Sequence, residues 1–195
     1  MQKFIQELPQ QKNKAAFVFN TYGFMSGKTQ GALDKWISAK GFLPVIGHKL
    51  HVPENYPPMI LRGKGAENAP NTEELEEFKG FISELENIIT DIKDGKELKK
   101  GKIKSGLMMF GRTKARKDMG EKFVDEKLCT ECGTCEKLCP YNAIILDPKP
   151  IFDMTKCYGC WSCYNHCPTK AIYTKKFRDI AHYPKPNKQL KEKLK

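Results

Sequence analysis

Hydrophobic and polar positions along the first hundred residues predict alternating strands and helices. Residues 15–20 form a short, continuous apolar run, which is typical of a strand buried on both faces. Apolar side chains at helical spacing follow over residues 31–40. Residues 46–52 then alternate, so that every second side chain of a second strand shares one face. Residues 2–8 resemble the last turns of a further helix that stops at Pro9.

The longest amphipathic stripe begins after Pro70. Asn71 and Glu74 have the spacing of a capping box, and Gly95 stands where a helix end is expected. The apolar positions step by three and one residues, which predicts one face buried against a sheet. They are Leu75, Phe78, Phe81, Ile82, Leu85, Ile88, Ile89 and Ile92. The order of strand, helix, strand and helix is that of the back half of a doubly wound α/β sheet.

The second half of the chain contains an internal repeat that holds all eight cysteines. The first run is Cys129-x2-Cys132-x2-Cys135-x3-Cys139-Pro, and the second repeats it 28 positions later as Cys157, Cys160, Cys163, Cys167 and Pro. The same offset places Asp125 on Asp153 and Ile144 on Ile172. Each half therefore predicts a short strand, a tight turn and a second short strand, related by a pseudo-twofold axis.

The cysteine spacing predicts two [4Fe-4S] clusters. Three thiolates spaced two residues apart suit one turn that covers three corners of a cubane cluster, and in such runs the fourth cysteine ligates the other cluster. Cluster I is assigned to Cys129, Cys132, Cys135 and Cys167. Cluster II is assigned to Cys157, Cys160, Cys163 and Cys139. Structural zinc and disulfides are the alternatives, although zinc normally takes two pairs of ligands and disulfides belong to exported proteins.

Apolar and aromatic side chains around the cysteines are expected to exclude water from the clusters. These side chains are Val124, Ile144, Ile145, Phe152, Ile172 and Tyr173. Three more rings stand between the cysteines of the second run, at Tyr158, Trp161 and Tyr164. We expect these three rings to serve packing rather than an electron path.

Positive charge points to a class of partner. The formal net charge is +11, and it is about +7 when each oxidised cubane with its four thiolates counts as −2. Ten Lys or Arg residues lie between Lys93 and Lys117, against Asp94 and Glu97. Such a segment is a solvated linker or attracts an acidic protein or nucleic acid. Because it lacks the interleaved rings of single-strand binders, we expect an acidic redox partner and no nucleic acid.

The location follows from what the sequence lacks. The first residues contain no apolar core of signal-peptide length, and no apolar window has the length of a membrane span. With cysteines that need a reducing compartment, the expected location is the cytoplasm, without a membrane span.

A resemblance covers nearly the whole chain. Residues 17–23, Phe-Val-Phe-Asn-Thr-Tyr-Gly, and residues 53–56, Pro-Glu-Asn-Tyr, together with the two cysteine runs, resemble bacterial and archaeal flavodoxin-ferredoxin fusions. The resemblance implies a flavodoxin-like region followed by a two-cluster ferredoxin domain of low potential. It also implies possible flavin contacts at Thr21, Tyr22, Gly23, Asn55 and Tyr56. The first strand and phosphate-binding loop of that family have no counterpart here, which argues against independent binding of FMN.

The missing half has a physical consequence for the strand at residues 15–20. Without its neighbours this strand has an unpaired apolar edge, which is an aggregation hazard, and the helix stripe loses part of the surface that it would cover. Three explanations are open: the sequence starts late, another chain supplies the missing half, or two copies form a homo-oligomer through the sheet edge. We expect the first.

The predicted chain is α+β overall, a truncated flavodoxin-like α/β fragment followed by a bacterial-type two-cluster ferredoxin domain. The expected boundaries are 1–100 for the fragment, 101–120 for a basic linker, 121–178 for the ferredoxin domain and 179–195 for a basic tail. The expected function is transfer of single electrons between redox partners, more that of a carrier than of a catalyst. An FMN-dependent reductase and a nucleic-acid module with structural clusters are the alternatives.

Overall fold

The computed structural model describes residues 1–107, 112–182 and 188–193, which form two compact units. The N-terminal unit comprises residues 1–54, 66–109 and 186–195, and the cysteine unit comprises residues 55–65 and 110–185. Residues 108–111 of the predicted linker and residues 183–187 and 194–195 of the predicted tail lie outside the described residues. The helices are α1 (Gln2–Glu7), α2 (Thr29–Ala39), α3 (Pro57–Ile60), α4 (Thr72–Lys93), α5 (Arg112–Met119), α6 (Thr134–Lys137), α7 (Ser162–His166) and α8 (Lys188–Lys193). The strands are β1 (Lys14–Tyr22), β2 (Phe42–His51), β3 (Lys122–Val124), β4 (Ile144–Asp147), β5 (Lys149–Phe152) and β6 (Ile172–Thr174).

The N-terminal unit is built on a strand, helix and strand unit. β1 and β2 are parallel, with Val18 opposite Gly47, and α2 connects them. Gly41 ends α2 at a φ of +75°, which a side chain would strain. The predicted strands and helices of this unit are therefore confirmed. Among the described residues β1 pairs with β2 alone, so its other edge is open.

The predicted burial of β1 on both faces is wrong. Val18 is buried, but Phe17 on the alternate face is 54% exposed. The rings of Phe17 and Phe19 lie 6.4 and 6.1 Å from that of Phe81 in α4, so this face is only partly covered. The continuous apolar run overstated burial because full cover requires a neighbouring strand on the open edge.

The predicted helix caps of α4 are confirmed. Asn71 Oδ1 accepts a hydrogen bond from Glu74 N at 2.8 Å, and Glu74 Oε2 accepts one from Asn71 N at 2.8 Å. Gly95 follows the helix end with a φ of +70°. Phe81 is buried, whereas Ile89 is 44% exposed and Ile92 is similarly exposed. The C-terminal half of the stripe is therefore only partly covered within this unit.

The segment predicted as a linker is divided between the two units. Gly101 N donates to Pro44 O at 2.8 Å, and Gly106 N donates to Gly27 O at 3.0 Å, both within the N-terminal unit. Met119, the last residue of α5, is fully buried in the cysteine unit. Of the predicted tail, Ile180 O accepts a hydrogen bond from Tyr164 Oη at 2.7 Å. No helix of the described ranges is both long and apolar enough to cross a bilayer.

The cysteine unit confirms the predicted repeat of strand, turn and strand. Each two-stranded antiparallel sheet takes one strand from each half: β3 pairs with β6, and β4 pairs with β5. Asp125 N donates to Ala171 O at 2.8 Å, and Asp153 N donates to Ala143 O at 2.9 Å. These two hydrogen bonds are related by the 28-residue offset, so the pseudo-twofold relation includes the backbone.

Two small cores hold the cysteine unit together. One consists of Met119, Trp161, Tyr164 and Phe177, with Trp161 only 2% exposed. The packing role predicted for Trp161 and Tyr164 is thus confirmed. The other places Ile144 and Ile172 against four of the cysteines, with Phe152 beside them. Ile145 does not join it: its side chain is 61% exposed, because neighbouring residues of β4 point to opposite faces.

Candidate metal centre

Left-handed backbone positions shape both cysteine runs in the same way. Glu131 and Gly159 have φ values of +55° and +77°, and Gly133 and Trp161 have values of +69° and +65°. Each pair is separated by the repeat offset of 28 residues. Backbone of this hand reverses the chain sharply, which lets three closely spaced cysteines lie on one turn. A tryptophan with a left-handed backbone conformation is unusual. The spacing of the cysteines around Trp161 did not predict this conformation.

The fourth cysteine of the first run lies with the second run. Cys139 lines one cavity together with Cys157, Cys160 and Cys163. Ile144 and Phe152 form part of the apolar wall of this cavity. Four thiols and an apolar wall are the donor set and surroundings that a [4Fe-4S] cluster requires. The residues present therefore fit the group predicted for this place.

Thiols of the first run lie near the fourth cysteine of the second. Cys135 and Cys167 meet at the core around Ile144 and Ile172. Burial raises the pKa of Cys135, and the charges of the nearby Cys167 and Cys132 raise it further. In the described parts of the chain no three His, Cys, Asp or Glu side chains converge closely enough to hold a single metal ion. A cubane takes one thiolate at each of four irons, so its ligands lie farther apart than the ligands of a single ion.

Hydrogen-bond donors surround several sulfurs. Ala143 N donates to Cys139 Sγ at 3.3 Å, and at the equivalent position Ala171 N donates to Cys167 Sγ at 3.2 Å. Such bonds stabilise negative charge on the sulfur and tune iron-sulfur potentials.

Cys157 has two donors, one of them a side chain. Gly159 N lies 3.3 Å from Cys157 Sγ, and Lys122 Nζ lies 2.7 Å from it. Sequence reasoning missed Lys122 as a site residue. The only available signal was the repeat itself. At its offset of 28 residues, the charged Lys122 in one half corresponds to the uncharged Pro150 in the other.

Thiol protonation depends on burial in this site. Burial raises the pKa of Cys163 to about 12, so this thiol keeps its proton at neutral pH in the chain without clusters. A hydrogen bond with Thr134 Oγ1, at 3.3 Å, lowers the pKa of the exposed Cys132. Cluster binding must therefore release protons, most of all at the buried thiols.

A family model for the 4Fe-4S binding domain matches residues 122–145 and again residues 150–173. The C-terminal region is a ferredoxin-type 4Fe-4S domain. It carries two [4Fe-4S] clusters, and it is an electron-transfer domain. The two matched segments coincide with the two halves of the repeat, each with its own cysteine run. We refer to the cysteine unit as the ferredoxin unit from here on.

Curated relatives share this region. A ferredoxin of Pyrobaculum islandicum is 41% identical over 51 residues, which cover 25% of this chain and 48% of the relative. Pyruvate synthase subunit PorD of Methanothermobacter marburgensis is 38% identical over 50 residues, covering 26% and 59%. The archaeal-type glutamate synthase [NADPH] of Thermotoga maritima is 35% identical over 66 residues, covering 30% and 13%. The chain thus spans less than two thirds of each of these relatives.

The residues predicted to contact a flavin fall in different units. Thr21 and Tyr22 end β1 in the N-terminal unit, where the Tyr22 ring stacks on His51 at 5.0 Å. Gly23 packs against Glu54. Asn55 and Tyr56 belong to the ferredoxin unit, in which Tyr56 Oη donates to Asp118 Oδ2 at 2.8 Å. Flavin contact at these positions stays a prediction.

Proposed function

We propose that this chain is a carrier of single electrons whose two clusters are ligated across the two cysteine runs. Cys129, Cys132, Cys135 and Cys167 would hold cluster I, and Cys157, Cys160, Cys163 and Cys139 would hold cluster II. The observation that carries the assignment is the cavity shared by Cys139 and the second run. The clusters supply one-electron oxidation and reduction when they are bound.

The protein itself contributes a rigid environment around the cysteine sulfurs, from which water is excluded. Ile144 and Ile172 are buried between the two sets of cysteines, so water is kept from the sulfurs that face them. Backbone donors at Ala143 and Ala171 hold two of the sulfurs in place. A surrounding that does not rearrange when charge changes favours rapid electron transfer, because little reorganisation is required.

Positive surface charge supports an acidic redox partner. Lys99, Lys102 and Lys104 are exposed in the N-terminal unit, and no ion pair is found for them among the described residues. Lys100, in contrast, pairs with Asp34 at 2.9 Å. Exposed and unneutralised lysines attract an acidic surface over a distance set by the salt concentration.

The N-terminal unit supports a flavodoxin-like interpretation, which we retain as a proposal. Its parallel β1 and β2, joined by α2, have the connection that a doubly wound sheet requires. In this proposal the open edge of β1 is covered by chain that this unit does not contain, or by a second copy. A flavin-dependent reductase would need that additional half.

Anaerobic reconstitution of the full chain tests the proposed function. We expect about eight irons per chain and two clusters that each take up one electron from dithionite. The reduced protein should then reduce oxidised cytochrome c with a stoichiometry of about two electrons per chain. Iron uptake far below this value, or clusters that dithionite does not reduce, would contradict the proposal.

A further inference from the structure

A lysine is buried beside one cysteine of the second run. Lys122 is 6% exposed, and its Nζ lies 2.7 Å from Cys157 Sγ. The ammonium also lies 6.0 Å from the centre of the Phe152 ring. The antiparallel pairing of β3 with β6 places Lys122 opposite the buried Thr174, so the backbone of Lys122 is held in a strand.

No carboxylate of the described residues neutralises this ammonium. Among the described residues, no Asp or Glu oxygen lies within 4.0 Å of Lys122 Nζ. A buried charge without a partner is costly, by several kcal/mol even after relaxation. The group at hydrogen-bond distance from this ammonium is the sulfur of Cys157, which is a ligand of cluster II in the proposed assignment.

The repeat provides no equivalent charge at the first run. Residue 150 stands 28 positions after Lys122 and is a buried proline, which has neither a charge nor an N–H donor. The adjacent Lys149 is neutralised differently, since its Nζ lies 3.5 Å from Glu131 Oε1 and donates to Glu126 O. The two halves therefore differ in local charge although their cysteines have the same spacing.

We propose that Lys122 makes the cluster held with Cys157 the more easily reduced of the two. The inference rests on the proposed ligand assignment. A fixed positive charge at hydrogen-bond distance stabilises the reduced state, which carries one more negative charge, more than the oxidised state. The electron comes from the external reductant, which is oxidised. Lys122 is thus a positioning residue: it acts through Cys157 and determines which of the two clusters is reduced first.

Redox titration of the reconstituted full chain, followed by EPR, tests this proposal. The wild-type chain should show two separate one-electron steps. Lys122→Met should lower the equilibrium constant of the first reduction step at least tenfold, which lowers its potential by about 59 mV for one electron. The potential of the second step should not change. Lys122→Arg, which retains the charge, should keep most of the separation. A Lys122→Met chain with full iron content and an unchanged separation would overturn the proposal.

Two further variants keep the test independent of how Lys122→Met folds. Lys149→Met combined with Glu131→Gln removes both charges of a neighbouring ion pair, so the separation should stay at the wild-type value. Pro150→Lys introduces the equivalent charge beside the first cysteine run and should make the second reduction easier, which narrows the separation between the two potentials. A Pro150→Lys chain that takes up both clusters and titrates like wild type would also overturn the proposal.

The outcomes distinguish this proposal from the proposed function. A wild-type chain without reducible clusters contradicts the function as an electron carrier. A wild-type chain with two reducible clusters, but with coincident potentials, contradicts only the role of Lys122.

Discussion

Cys139, the last cysteine of the first run, lines the same cavity as Cys163 of the second run. The chain separates them by 24 positions, and the antiparallel pairing of β4 with β5 folds the halves onto each other. In the proposed assignment one ligand is exchanged between the halves, so neither half can complete its own cluster. The relationship therefore makes a specific prediction about single cysteine variants.

Cys139→Ala should remove cluster II and spare cluster I. The variant should hold about four irons, and its remaining EPR signal should match that of Cys160→Ala, which removes a ligand of the second run. Cys132→Ala, in the first run, is the matched control and should leave the other signal. If the spectrum of Cys139→Ala matches that of Cys132→Ala instead, the exchanged assignment is wrong.

Exposed lysines should accelerate electron transfer to a negatively charged acceptor. We expect the triple exchange of Lys99, Lys102 and Lys104 for Ala to slow reduction of ferricyanide about tenfold at about 0.01 M salt, where charges act over about 30 Å. At about 1 M salt the difference should vanish. The measurement is stopped-flow absorbance of the pre-reduced chain.

A control of equal net charge separates local attraction from total charge. Exchange of the exposed Lys3, Lys12 and Lys14 for Ala changes the charge by the same amount elsewhere in the N-terminal unit. This control should lose less rate than the first variant at low salt. Equal losses in the two triple variants would rule out a local steering surface.

The uncovered apolar surface of the N-terminal unit should promote self-association. Phe17 on β1 and Ile89 on α4 are both exposed large apolar residues, and β1 has an open edge. We expect the full chain to sediment faster as its concentration rises, and Phe17→Lys with Ile89→Lys to reduce this effect. Leu61→Lys, at an exposed position of the other unit, is the control and should leave it unchanged. A wild-type chain that stays monomeric at all concentrations contradicts the prediction.

His48 should make the N-terminal unit less stable in acid. Burial lowers the pKa of His48 below its ordinary value of 6.5, and the ring stacks on Phe81 at 5.1 Å. As the pH falls below about 6.5, the unfolded chain takes up a proton that the folded chain resists, so the free energy of unfolding decreases. Protection of the β1 and β2 amides from hydrogen exchange should fall between pH 7 and pH 5.5, after correction for intrinsic rates.

Histidine variants check the origin of that acid effect. His48→Phe keeps an aromatic ring but cannot take up a proton, so amide protection in β1 and β2 should lose its dependence on pH over this range. His166→Gln removes an exposed histidine of the other unit and should retain the wild-type dependence. The same pH dependence in wild type and His48→Phe would exclude His48 as the cause.

Sequence reasoning was successful where the determining interactions are local. The capping box of Asn71 and Glu74 spans three residues, and the spacing of the cysteines fixes which sulfurs share a turn. A continuous apolar run predicted β1, alternation predicted β2, and helical stripes predicted α2 and α4, for the same reason. These signals require no knowledge of what packs against each element.

Interactions between distant residues could not be predicted in this way. Lys122 meets Cys157 because of the folded arrangement of the two halves, and no local pattern marks a lysine as buried. The left-handed conformation of Trp161 goes together with packing of its ring against Met119, which is distant along the chain, and against Tyr164 in the helix that follows. Burial of Phe17 was overestimated because it depends on a strand that the described chain does not pair with β1.

The core around Trp161 sets a limit on how the iron-sulfur module can be excised. Met119 fills this core and Tyr56 packs on it, yet both residues lie outside the two segments, 122–145 and 150–173, that match the family model. A subcloned fragment cut at those limits would keep Tyr164 but lose Met119, Phe177 and Tyr56. The indole ring would then be partly exposed to water, in a backbone conformation that its own side chain disfavours. Any minimal expression fragment that is meant to keep its clusters therefore has to include α5 and the short stretch around Tyr56.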